Sequence, residues 1–237
     1  MILIDAIQKV VDLMKSHYTV TGYLLANNVF TVTYSAKRNF FQDGMYVEFD
    51  GYIGRRYKIF NFTDNGNGSY TYSVNVASNF TWGAQTYFNL FLEFYYGHAK
   101  EIQMDINDLM YKKRHRFPFL AMFLNITEDR DDLPGIELTA DVNFVIIIDA
   151  QSKWRAAERT ETSFKQVLHP VYKLFINTLK SSGYFATDEN DLIKHGKVDN
   201  YHYSADEAKK QNTLAVIADA VEINNIELNL FKNNCYE

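Results

Sequence analysis

The chain has 237 residues, 47% hydrophobic and 22% charged, which is ordinary globular material able to bury a core. A formal net charge of −5 argues against a general nucleic-acid binder, which shows a basic excess or stripe. The single cysteine, Cys235, excludes an internal disulfide and suits a reducing compartment.

Asp5 interrupts the apolar start where a signal peptide needs an uncharged core. No apolar run approaches the ~18 residues that a membrane span requires. The chain therefore reads as a soluble intracellular product, and its four Asn-x-Ser/Thr triplets as chance. Aromatic residues stand out, with 17 Tyr, 18 Phe and 2 Trp. They favour strands, and they are also enriched at protein–protein contacts.

Residues 2–17 place Leu3, Ile7, Val10, Val11 and Met14 on one face, which predicts a core-packed helix ending near Tyr18. Residues 23–96 then alternate at 29–34, 46–49, 56–62 and 70–76, separated by Gly-containing turns. That pattern predicts a small antiparallel barrel or sandwich. Asp64-Asn65-Gly66-Asn67-Gly68 lacks the ligand spacing and closing Glu of a calcium loop, and is read as a hairpin turn. Arg55-Arg56-Tyr57-Lys58 is read as a solvated strand. Tyr87–Tyr96 is expected to be one more aromatic strand, closed by Gly97-His98.

A second amphipathic helix is expected up to about Lys113, its C-terminus carrying the basic cluster Lys112–Arg116. Two apolar strands follow, Arg116–Leu124 and Val142–Asp149, joined by an acidic turn containing Glu128, Asp129, Arg130, Asp131 and Asp132. The crossing at 151–162 leads into a helix with Phe164, Val167, Leu168, Val171, Leu174, Phe175 and Leu179 on one face. Thr162 or Ser163 is expected to cap it, and Pro170 to kink it. Residues 186–212 read as an irregular excursion. Residues 214–230 read as the returning strand or strands, with a one-residue slip at Asn224-Asn225.

The candidate site residues are an interface set: Trp154, Arg155, Glu158, Arg159 and, in the acidic turn, Arg130. Trp and Arg dominate interface energetics, which makes the crossing a contact hot spot. A local Arg–Glu network with Glu158 and Glu161 is the plainer alternative. No phosphate loop, nucleophile elbow or paired histidines at ligand spacing is present, so no catalytic, cofactor or metal residues are assigned. A metal-dependent enzyme using Glu128, Asp129, Asp131 and Asp132 is the competing enzyme reading.

The order helix, Phe117-Pro118-Phe119 strand, acidic hairpin, apolar strand, Trp/Arg link, long helix and closing strand resembles tail-terminator and neck-ring proteins of tailed bacteriophages. Gly97–Ile102, Ala157-Glu158-Arg159, Phe164–Pro170 and Ala218–Ile223 resemble neck or tail connectors of gut phages, including crAss-like ones. The resemblance implies an α+β fold: an antiparallel sheet packed by helices, with an inserted small β-barrel or β-sandwich module. The connector core would be residues 1–22 and 97–237, and the module residues 23–96, which a minimal terminator lacks. It implies a virion protein made in the host cytoplasm that forms a homo-oligomeric ring, without catalysis, cofactor or membrane. Its partners would be itself and neighbouring portal, connector or tail proteins, with DNA only passing through the channel. On that footing, residues 151–162 and 127–135 are expected at subunit contacts. The alternative is a phage binding module whose β insert recognises a host ligand or another virion protein.

Overall fold

A computed structural model describes residues 2–37, 39–52, 55–83, 87–98, 101–102, 117–129, 136–151, 153–186, 195–198 and 218–231. The chain divides into two units, Lys15–Leu92 and Met1–Met14 with Glu93–Glu237.

The first unit is a closed antiparallel barrel of β1 (Tyr18–Ala26), β2 (Val29–Ser35), β3 (Tyr46–Phe49), β4 (Tyr57–Gly66), β5 (Ser69–Asn75) and β6 (Tyr87–Leu90), in the order β1-β2-β5-β4-β3-β6. Strands β3 to β5 form a meander and β6 returns beside β3, a Greek key. Closure removes the exposed strand edges of an open sheet. Alternation sends Phe30, Val32 and Tyr34 inward, opposite Val74, Tyr72 and Tyr70. Phe88 lies at the centre, with ring centroids of Tyr34, Tyr72 and Phe41 at 5.0, 5.1 and 5.4 Å. The buried Tyr34 hydroxyl donates to Asn39 Oδ1 at 2.5 Å, and burial raises its pKa far above the usual phenol value.

Two tight turns use left-handed residues. Asn27 and Asn28 (φ 51° and 61°) close β1–β2, as type I′ geometry requires. Between β4 and β5, Gly66, Asn67 and Gly68 are all at positive φ, and Gly66 N–H donates to Asp64 Oδ1 at 2.9 Å. The Asp-Asn-Gly run is thus a hairpin turn.

The second unit opens with α1 (Ile2–Met14), which buries Leu3, Ile7, Val10, Val11 and Met14. Its sheet contains β7 (Glu93–Gly97), β8 (Phe119–Asp129), β9 (Ile136–Asp149), β10 (Phe185–Ala186), β11 (His195–Val198) and β12 (Ala218–Phe231). The order is β10-β12-β9-β8-β7, with β11 also paired to β12. A helical run crosses it: α2 (Ala156–Arg159), a π-helical segment (Thr160–Leu168) and α3 (His169–Ser181). The π segment packs on β9 and β12, and α1 packs on α3. Phe144 of β9 and Phe175 of α3 meet edge to face at 5.0 Å.

Several expectations need correction. The first helix stops at Met14, and Tyr18–Ala26 is a strand, because aromatic and β-branched residues there complete the barrel. Tyr87–Tyr96 is two strands in different sheets, divided at Phe91-Leu92. The sheet of the second unit, expected to be antiparallel, is mixed, since β7 runs parallel to β8. The long helix starts at Ala156, with Arg155 as N-cap, so residues 156–162 are helix rather than link. Within 186–212, His195–Val198 is a strand.

Pro170 lies just after the π segment, where His169 N–H bonds to the Phe164 carbonyl five residues back. Proline lacks an N–H and clashes with the carbonyl four residues earlier, so widened turns carry the helix past it. The expected slip in β12 is a bulge between Ile223 and Ile226, with Asn225 at φ 55° and its N–H on Asn143 Oδ1 at 2.8 Å. Most of the second amphipathic helix, the basic cluster, Arg130, Asp131, Asp132, His202 and Cys235 lie outside the described residues.

Candidate functional site

The crossing from β9 to the helix is where the interface candidates meet the structure. Asp149 ends β9, and Trp154 N–H bonds the Gln151 carbonyl at 3.1 Å. Arg155 then caps α2: its backbone N–H donates to Glu158 Oε2 at 2.8 Å, the reciprocal half of a capping box. Arg155 and Glu158 are exposed, and Trp154 is half-buried.

Arg159 is placed differently. It is only 5% exposed, and its Nη1 donates to Asp219 Oδ1 at 2.5 Å. Its Nε donates to the Trp154 carbonyl at 3.3 Å. Asp219 stands near the start of β12, opposite Ile148 of β9, and is 0% exposed. The partner of Arg159 is thus neither Glu158 nor Glu161. Glu161 pairs instead with Lys165, and that pair is exposed. Arg159 joins helix to sheet inside one chain and has no surface to offer another. Among the described residues, Asp219 Oδ2 and the buried Ser163 Oγ have no hydrogen-bond partner. Chemically the pair is a clamp, because a charge-assisted hydrogen bond between two buried groups holds the helix to the sheet.

A second cluster lies where β11 covers the helix. The His169 and His195 rings meet edge to face at 5.6 Å, and Tyr172 packs on His195 at 4.4 Å. Lys197 Nζ lies over the Phe164 ring at 5.6 Å. Burial lowers the His169 pKa, followed by the nearby Lys197, His195 and Lys173 charges. The folded protein therefore binds a proton at His169 less readily than the unfolded chain. The resulting stability is present above the ordinary histidine value near 6.5 and declines as pH falls through and below it. Urea titrations at pH 7.5 and 5.5 should show a smaller loss on acidification for His169→Gln than for the wild type. Equal losses would refute a role for this imidazole.

Among the described residues, no group of three His, Cys, Asp or Glu side chains could hold a metal ion, and no helix is long and apolar enough to cross a membrane. Arg55 and Arg56 each lie over a tyrosine ring of the barrel, Tyr52 at 5.8 Å and Tyr46 at 4.8 Å.

The aromatic excess of the barrel is largely core. Phe30, Tyr34, Phe41, Phe49, Tyr72 and Phe88 are all buried. Tyr23, Leu24 and Leu25 are the exception, 58%, 64% and 41% exposed at the end of the β1–β2 hairpin.

Sequence reading missed Asp219 and the meeting of His169 with His195. The signal for Asp219 was a lone acid between Ala218 and Ala220 in an apolar strand. For the histidines there was none. No protein-family model, curated protein or solved structure matches the chain.

Proposed function

We propose that the protein is a structural subunit of the neck or tail of a tailed bacteriophage, a tail terminator or head–tail connector forming a homo-oligomeric ring around the DNA channel. The observation supporting this reading is the order of elements in the second unit. The chain runs from α1 through the β8–β9 hairpin, the Arg-containing crossing and the long helical run to β12, which lies beside β9. That is the succession on which the resemblance rests, joined in one sheet. In this reading the partners are other copies and the neighbouring portal, connector or tail proteins, and the chain has no catalytic task. An acidic balance suits a channel wall that does not retain passing DNA. With Arg159 internal, the exposed Arg155 and Glu158 and the half-buried Trp154 remain as contact residues on the crossing.

A second reading makes the barrel a binding module for a host ligand or another virion protein. The exposed end of the β1–β2 hairpin favours it.

The deciding experiment is the solution mass of the full chain together with negative-stain images of the same sample. Closed rings with a central hole are expected. A monomer at every accessible concentration overturns the ring reading.

A further inference from the structure

The barrel wall formed by β1, β2 and β5 differs from the rest of the molecule. These strands and the Asn27-Asn28 turn contain no Asp, Glu, Lys, Arg or His, in a chain with 24 basic and 29 acidic residues. We infer that the outer face of this wall is a contact surface for a second copy of the chain, meeting the same face of that copy about a twofold axis.

Register shows what the face presents. Directly opposite residues share a side of a sheet, so Leu24, Thr31 and Ser73, the last only 7% exposed, form one row across β1, β2 and β5. Gly22, Thr33 and Thr71 form the next. The hydroxyls are tied sideways: Thr31 Oγ1 to Ser73 Oγ at 2.9 Å, and Thr33 Oγ1 to Thr71 Oγ1 at 3.2 Å. Little rotamer freedom is left to lose on binding. Leu24, the most exposed large apolar side chain described, ends the first row.

The charge pattern selects the occupant. Lacking cations, the face does not suit nucleic acid or an anionic membrane surface. Two copies at −5 each repel overall, and an uncharged face is where they approach at least cost. A charged patch opposes its own image across a twofold axis. A hydroxyl both donates and accepts, so a Thr/Ser face is complementary to itself. Depletion of charge around a small apolar centre is also how interface cores differ from ordinary surface.

The size sets the strength. Seven residues at ~3.3 Å along three strands ~4.8 Å apart cover about 330 Å², less than half the usual area per partner. A reversible dimer in the micromolar range is therefore expected. It does not depend on the ring reading, since a twofold contact is distinct from the head-to-tail contacts that close a ring.

The test is sedimentation of the full chain from about 5 to about 500 µM, a range spanning micromolar affinities. Thr31→Glu and Thr31→Lys should each weaken dimerisation at least about tenfold, and mixing the two should restore it through opposite charges. Leu24→Glu and Leu24→Lys, at the exposed end of the row, repeat the test if the Thr31 variants do not fold. Three results overturn the inference: a wild type that is monomeric throughout, variants that associate like the wild type, or a loss that mixing does not repair. If rings form and these variants leave them intact without a twofold contact, the inference fails while the ring reading stands.

Discussion

Asp219→Ala is expected to destabilise the second unit by about 3–5 kcal/mol, the range for removing one partner of a buried ion pair. The substitution removes the carboxylate from the buried Arg159 guanidinium, leaving it, among the described residues, the Trp154 carbonyl on Nε. Arg159→Glu should be worse, because it sets a second carboxylate against a fully buried one. It would report on folding and not on assembly, although the residue stands on the crossing. The informative control is the double variant Arg159→Met/Asp219→Leu. Replacing a buried pair by apolar groups of similar volume is often neutral or stabilising, so most of the loss should return. Urea unfolding followed by Trp154 fluorescence in a Trp82→Phe background measures all of these. If Asp219→Ala loses less than about 1 kcal/mol, a value typical of exposed pairs, the clamp has no energetic meaning. If the double variant is as unstable as the single one, the charges matter by more than their mutual neutralisation.

This pair also shows where sequence reading ends. Asp219 and Arg159 are 60 residues apart, and nothing local to either names the other. Arg159 sits among Glu158, Glu161 and Arg155, which is why it reads as surface. Only the helix laid on β9 and β12 turns it inward. The strands that were legible have clean alternation, such as Phe30/Val32/Tyr34, because one face of each is buried. In β1, Gly22 and the run Tyr23-Leu24-Leu25 break the alternation, and the whole of that run is exposed at the hairpin end. His195-Gly196-Lys197-Val198 has no strand pattern of its own. Its conformation follows from pairing with Ala220–Ile223. Tertiary pairing overrides propensity there, and the contact of His195 with His169 is hidden for the same reason. The bulge in β12 could be read because a one-residue slip of the apolar pattern is local.

Phe88→Ala should be the most damaging single truncation in the barrel. The ring is 0% exposed, and its neighbours come from separate parts of the wall: Tyr18 of β1, Tyr34 of β2, Tyr72 of β5, Phe49 of β3, and Phe41 from the β2–β3 connection. Truncation removes its contact with all of them at once, and a closed barrel cannot collapse onto the gap without breaking pairing. The expected cost is therefore about 3–5 kcal/mol, toward the upper end for Phe→Ala. Phe88→Leu keeps most of the volume and should recover more than half of it. The reporter is the half-buried Trp82, whose ring lies 5.0 Å from Phe30 and 5.6 Å from Phe49 of the same aromatic core. In a Trp154→Phe background, the Trp82 transition should move to markedly lower urea. The Trp154 transition, measured in a Trp82→Phe background, should stay in place if each unit holds its own core. A parallel shift of both would mean that the two cores unfold as one cooperative block, and an unmoved Trp82 transition would show that the barrel does not depend on its central ring.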